Sequence, residues 1–273
     1  MAFPPGHFYS PIPSVKEVRR QESRIFGRPA SIPGVDLNEP GQRQIIAALA
    51  QYFPHIELSE KKRAGARFFY ENPNYGRGEA IIYAGMLHYV RPRRVIEVGS
   101  GYTTLLLLDT LDQMNSRETT ITCIEPVPDL LRSLLSADDA QRVKIHDCVA
   151  QDSELTWFEA LQSGDILFVD STHVGKVGSD VNFILFEVLP RLKSGVRIHF
   201  HDIYYPFEYP KPWVFGGRNW NEAYLVRAFL QYNNAFVIEC FNSYLGQCHP
   251  ELFRDTDPKF LSNHGSSLWL RRV

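Results

Sequence analysis

The sequence predicts an α/β fold: a Rossmann-like, mostly parallel sheet flanked by helices. Three observations carry that prediction. Arg94 to Val98 reads as a buried strand that breaks at Gly99-Ser100-Gly101 and runs into a helix from Thr103. Four more β-rich runs follow in turn, and each leads into an acid or a histidine–acid pair. Last, Ala235 to Tyr244 and Ser266 to Arg272 alternate apolar and polar residues like two terminal strands, which predicts an antiparallel end to the sheet.

Along the chain, residues 1–40 are rich in proline and glycine and read as an arm, with a short helix near Ser14 to Ile25. Asn38 to Phe53 is an amphipathic helix with Ile45, Ile46, Leu49 and Tyr52 on one face. A loop through Asn72 to Gly76 leads to a helix from Gly78 to Val90, which feeds the first strand. The chain divides into an N-terminal arm and helical extension, residues 1–75, and a main domain, residues 76–273. Thr120 to Ile124 is the second strand, ending at Glu125, and 126-PVPDLLRSLL-135 is the helix after it. Val143 to His146 is a short third strand. Gly164 to Val169 forms the fourth and ends at Asp170, and Gly195 to Phe200 forms the fifth and ends at His201-Asp202. The aromatic, proline-stiffened loop Ile203 to Trp213 is either a lid or a segment packed on the arm, and a helix follows from Tyr224 to Tyr232.

A strand–glycine turn–helix unit presents free backbone N–H groups and the positive end of a helix beside one sheet edge. A nucleoside-containing cofactor fits there. Thr104 stands where a dinucleotide fingerprint has its third glycine, so that fingerprint is incomplete. Glu97, two residues before the first glycine, suits a cationic ligand better than a pyrophosphate. Glu125 is placed to accept the ribose hydroxyls. Ligands in an open α/β sheet sit beyond the carboxyl ends of the strands, so Glu97, Glu125, Asp170 and His201-Asp202 share one edge. Acids gathered there repel one another unless a cation lies among them.

The pattern Glu97-Val98-Gly99-Ser100-Gly101 resembles motif I of the class I S-adenosylmethionine-dependent methyltransferases. Residues from about Tyr75 to Val273 resemble methyltransferase family 24, through FVDSTHVGKVGSDVN, IHFHDIYYPFEYP and GSSLWLRR. Asp170-Ser171-Thr172-His173 with His201-Asp202 also resembles the metal site of cation-dependent O-methyltransferases of the catechol and macrolide-sugar types. His201 stands where those families have an acid. The resemblance implies a seven-stranded sheet in the order 3-2-1-4-5-7-6. It implies S-adenosylmethionine contacts from Glu97, Gly99, Ser100, Gly101, Thr103, Glu125, Pro126 and Asp170, and from the loop of Asp147, Cys148, Val149 and Gln151. It also implies a divalent metal, Mg²⁺ or Mn²⁺, on Asp170, His201 and Asp202.

A sulfonium methyl is already electrophilic, so catalysis reduces to aligning it with a nucleophile and moving a proton. A metal lowers the pKa of a bound hydroxyl. His173, with an ordinary pKa of about 6.5, is the expected base, and Lys176, one helical turn farther on, is the second choice. His199, on the same strand face as His201, is expected to be buried and hydrogen-bonded. The acceptor is expected to be a small molecule bearing a sugar or a phenol. Competing readings are a metal-independent N- or O-methyltransferase, a nicotinamide-dependent oxidoreductase and a non-catalytic binding protein on the same scaffold. The missing third glycine and the antiparallel ending argue against the oxidoreductase.

With 29 basic and 31 acidic residues the charge is nearly balanced, so no nucleic-acid partner is expected. The four cysteines, Cys123, Cys148, Cys240 and Cys248, show no C-x-x-C spacing and read as reduced thiols. Met1 to His7 lacks the basic and apolar regions of a signal peptide, and no run is long enough to cross a membrane. A cytoplasmic location follows as an expectation, and the arm invites a homodimer.

Overall fold

A computed structural model describes residues 2–29 and 31–273. Met1 and Ala30, which belong to the N-terminal stretches read above, lie outside the described residues. Among the described residues one seven-stranded sheet runs in the order β3-β2-β1-β4-β5-β7-β6, the order the resemblance implied. Its strands are β1 Arg94–Val98, β2 Thr120–Ile124, β3 Val143–His146, β4 Ile166–Val169, β5 Arg197–Phe200, β6 Phe236–Phe241 and β7 Leu268–Arg272. The first five are mutually parallel, and β7 lies antiparallel between β5 and β6. Central strands are apolar on both faces because helices cover both: Val95, Ile96 and Val98 of β1 and all of β4 are buried.

Register positions the functional edge. Val98 pairs with Val169, and Val169 with Phe200. Beyond the strands the ladder runs on through single bonds. Gly99 N–H donates to the Ile124 carbonyl at 3.0 Å, Asp170 N–H to Val98 at 2.8 Å and His201 N–H to Val169 at 2.9 Å. Gly99, Asp170 and His201 therefore leave three adjacent strands at one level.

The N-terminal extension adds its own apolar face to this core. Ile32, Ile46, Leu49, Phe53 and Phe68 are buried in the cluster that contains the sheet residues. Helix Glu39–Ala50 supplies Ile46 and Leu49, and helix Arg77–Val90 is buried along most of its length. Arg67 ties the extension to the sheet's flanking helices. It donates to Asp109 at 2.8 Å and to both oxygens of Asp139, at 3.0 and 2.7 Å.

Three local readings are corrected. Residues 242–248 are a helix, not the end of a strand, so Tyr244 does not belong to the sheet. Helix Asp129–Leu134 is shorter than the run read from 126 to 135, because Pro126 and Pro128 hold the chain out of the helix. The segment after Asp170 has no helical turn before Asp180, so Lys176 is not one turn from His173. The aromatic loop is packed, not free. Ile203, Tyr205, Phe207 and Tyr209 are buried, and Tyr205 Oη donates to the carbonyl of Pro29 in the arm at 3.3 Å. Among the described residues no helix is long and apolar enough to cross a membrane.

Candidate active site

The glycine turn is shaped by β4. Gly99 has a φ of +78°, and a Cβ there would lie 1.9 Å from the Asp170 carbonyl oxygen. That position needs glycine for the fold before any ligand arrives. Gly101 differs: a Cβ would meet only Leu130, at 3.9 Å.

Two cavities open beside this turn. One, of about 310 Å³, is lined by Gly99, Glu125, Pro126, Val149, Gln151, Asp170 and residues of the 171–180 loop. A smaller one, of about 150 Å³, is lined by Ser100, Gly101, Thr103, Glu125 and Asp170. Glu125 is fixed by the Ser100 N–H at 3.2 Å and the Val127 N–H at 2.9 Å. Of the residues expected at the cofactor, three line neither cavity. Asp147 faces solvent and accepts from Arg132 at 2.7 Å, and Cys148 is half-buried beside it. Glu97 is wholly buried behind the turn. Burial raises its pKa to about 7, while Thr104 donates to it at 2.5 Å and its other oxygen has no partner. Lys176 is exposed and lines the larger of these cavities, not the one that His173 lines.

A third cavity, of about 640 Å³, opens on the other side of Asp170 and reaches Tyr75, Glu79, His173, His201, Asp202, Tyr204, Trp213, Arg218, Trp220 and Ser266. Asp170, Ser171 and Thr172 line it as well as the 310 Å³ cavity, so the two meet at the end of β4.

At that junction two imidazoles face two carboxylates. His173 Nε2 lies 3.3 Å from Asp170 Oδ1 and 3.7 Å from Asp202 Oδ2. His201 Nδ1 lies 3.2 Å from Asp170 Oδ1 and 3.6 Å from Asp202 Oδ2. Ligand atoms of Asp170, His173 and His201 all lie within 4.8 Å of one another. The outer ring nitrogens face two further buried acids: Glu222 at 2.8 Å from His173 Nδ1, and Glu79 at 3.0 Å from His201 Nε2. Ser266 links the rear of the cluster: its backbone N–H donates to Glu79 at 2.8 Å, and its hydroxyl lies 2.8 Å from Glu79 and 3.0 Å from Asp202. His173 and Asp202 both hold left-handed backbone, with φ of +60° and +55°. Such non-glycine positions cost about 1–3 kcal/mol each and persist only where the surroundings impose them.

Burial opposes charge on every member, yet the mutual interactions win for the imidazoles. Hydrogen bonds to Asp170 and Glu222 raise the His173 pKa to about 10 despite burial. The charges of Asp170, Glu79 and Asp202 likewise hold His201 well above its ordinary value. Four acids surround these two imidazoles, an excess of negative charge that a cation could offset. The donor set could hold a metal ion: Asp170, His173 and His201 converge with Asp202 beside them, and an outer carboxylate orients each ring, an arrangement common around bound metals. His199 takes no part. It is buried, stacks on Phe168 at 3.9 Å and bonds Ser267 at 2.8 Å.

Glu222 and Ser266 were not singled out in the sequence, and Glu79 was not separable from core residues. Glu222 reads as an ordinary acid in the first turn of helix Glu222–Leu230, and its 49-residue separation from His173 hides the pairing.

Residues 96–203 match the profile of methyltransferase family 24, described as a methyltransferase domain. An uncharacterized protein of Archaeoglobus fulgidus is 33% identical over 170 residues, spanning 60% of this chain and 76% of that protein. Among solved structures, an SAH-bound methyltransferase of Podospora anserina shares 14% identity at a TM-score of 0.46, covering 95% of this chain and 97% of that one. A CmcI structure with Mg and SAM shares 17% identity at a TM-score of 0.42, covering 82% and 84%. Likenesses as distant as these two say nothing about chemistry. The matched stretch contains Gly99, Glu125, Asp170, His173, His201 and Asp202, and the chain belongs to one family with the archaeal protein and carries a methyltransferase domain at residues 96–203.

Proposed function

We propose that the protein transfers the methyl group of S-adenosylmethionine to an oxygen of a small acceptor, assisted by a divalent metal. The observation that carries this reading is the meeting of two cavities at Asp170. A nucleoside-sized space beside the glycine turn and Glu125 abuts an acceptor-sized space that holds the histidine–acid cluster. The cofactor's ribose goes to Glu125, and its sulfonium end is directed toward Asp170. The acceptor enters between Tyr204, Trp213 and Trp220.

Asp170, His201 and Asp202 would hold the metal, with Glu79 orienting His201. A bound divalent cation would polarise the acceptor hydroxyl and lower its pKa. The imidazole in that donor set favours Mn²⁺, Fe²⁺ or Co²⁺ over Mg²⁺, which prefers oxygen. A bound cation would take the place of the ring proton in offsetting the surrounding acids and leave His173 neutral, so that its Nε2 could accept the acceptor's proton while Glu222 fixes the ring through Nδ1. A second reading, favoured by the 3.3 Å approach of that Nε2 to Asp170, makes His173 a further ligand.

Thermal unfolding with S-adenosylhomocysteine, with and without each metal or EDTA, tests the proposal. A ligand at a hundred times its dissociation constant adds about 2.7 kcal/mol. The nucleoside should raise the midpoint and a metal should raise it further. Asp170→Ala and Asp202→Ala should each erase the metal increment, and no nucleoside shift at all would defeat the reading. In His173→Ala, a retained metal increment with lost turnover assigns the base, and a lost increment assigns the ligand.

A further inference from the structure

The acceptor cavity is walled by acids and aromatics, and one permanent cation stands among them. Arg218 is the only lysine or arginine lining it, and no carboxylate pairs with Arg218 among the described residues. Its position is prepared. The guanidinium lies 4.2 Å from the centre of the Trp213 ring and 5.0 Å from that of Trp220, and the two indoles meet edge to face at 5.3 Å. The Arg218 N–H donates to the Trp213 carbonyl at 3.0 Å, which fixes the backbone below the side chain. Stacking on two rings holds the planar guanidinium while leaving its N–H edge open to a ligand. Arg218 is exposed, so it stands at the solvent side of the cavity, with half-buried Trp213 and Trp220 beneath it.

Trp220 also touches the chemistry. Its ring lies 4.3 Å from that of His173, centre to centre. One indole therefore separates the cation from the imidazole at the cluster. Because both approach the Trp220 ring, the guanidinium and the His173 ring lie within about 9 Å of each other, a span that one small acceptor can bridge. Four acids line or adjoin this cavity, so an anion would be repelled from it without a placed cation.

We propose that Arg218 is the specificity-determining residue of the acceptor site and that the acceptor carries a carboxylate, gripped by the guanidinium while its hydroxyl lies at the histidine–acid cluster. A planar carboxylate matches the guanidinium fork through two parallel hydrogen bonds. This assignment rests on the methyl-transfer reading for which hydroxyl reacts, but the anion grip itself is measurable apart from it.

The test is calorimetric titration of the full-length protein, with S-adenosylhomocysteine and Mn²⁺ present, using matched probes. These are protocatechuate against protocatechuyl alcohol, and glucuronate against glucose. In at least one pair the carboxylate should bind about tenfold or more tighter than its neutral counterpart. Arg218→Ala should erase that preference, and Arg218→Lys should keep part of it. Neither variant should change S-adenosylhomocysteine affinity or the metal-dependent thermal shift. No probe binding, no preference in the unaltered protein, or a preference that survives in Arg218→Ala would each overturn the assignment. So would loss of metal binding in Arg218→Ala, because Arg218 would then serve only to balance the acids. If S-adenosylhomocysteine fails to bind while the carboxylate preference persists, the methyl-transfer reading falls and the anion grip stands.

Discussion

Glu222 holds His173 at two points. Its carboxylate lies 2.8 Å from Nδ1 of the ring, and its backbone N–H donates to the His173 carbonyl at 3.1 Å. The neighbouring Asn221 N–H donates to that same carbonyl at 3.0 Å, and the Asn221 side chain pairs with both backbone groups of Gly175. The start of helix Glu222–Leu230 thus imposes the left-handed backbone at His173 and selects which ring nitrogen faces Asp170.

Glu222→Gln keeps the backbone bond and removes the charge opposite Nδ1. Loss of a residue that orients an active imidazole typically costs about 10–100-fold. We expect turnover, followed as S-adenosylhomocysteine release, to fall by that factor with cofactor affinity unchanged. Turnover equal to that of the unaltered protein would show that the ring is oriented by other contacts.

Gly99→Ala and Gly101→Ala should separate fold from ligand binding. Alanine at 99 meets the Asp170 carbonyl in a backbone conformation hostile to a side chain, so a loss of about 3 kcal/mol or more is expected in urea unfolding. Alanine at 101 has room. It should leave unfolding nearly unchanged while weakening S-adenosylhomocysteine binding, because its methyl group projects where the ligand must approach the backbone.

Glu125→Ala should weaken S-adenosylhomocysteine by about tenfold or more, the loss of a charged hydrogen-bonding partner. Isothermal titration checks this directly. An unaltered dissociation constant would mean that the ribose is held elsewhere.

Arg67 and Asp139 predict an acid limb in stability. Burial alone would raise the Asp139 pKa, but hydrogen bonds from Arg67 and Ser136 lower it to about 2. The folded value lies below the ordinary 3.8, so this stabilisation is complete above about pH 4 and is lost as the pH falls toward 2. Asp139→Asn should flatten that part of the stability–pH curve. Arg67→Ala should cost about 3 kcal/mol at neutral pH, because it removes the cation shared by Asp109, Asp112 and Asp139, of which, among the described residues, only Asp112 keeps another arginine close by, Arg142.

The sequence by itself determined the sheet and its functional edge. Apolar runs such as Ile166 to Val169 are too short for helices, and the order of the strands followed from the resemblance carried by Glu97 to Gly101 and the later runs. Polar groups placed directly after those runs, Glu125, Asp170 and the pair His201-Asp202, must then emerge together, because strand ends are fixed by local pattern. Only the tertiary structure decided what surrounds them. Glu79, Glu222 and Ser266 reach the cluster from a helix before the sheet, a helix after it and the approach to the last strand. No spacing encodes those meetings, which depend on how separate elements pack. The same reason turned Asp147 out toward Arg132 and put Lys176 beside the nucleoside-sized space. Loops between strands follow side-chain partners distant in sequence, whereas strands and helices follow periodicities written within a few residues.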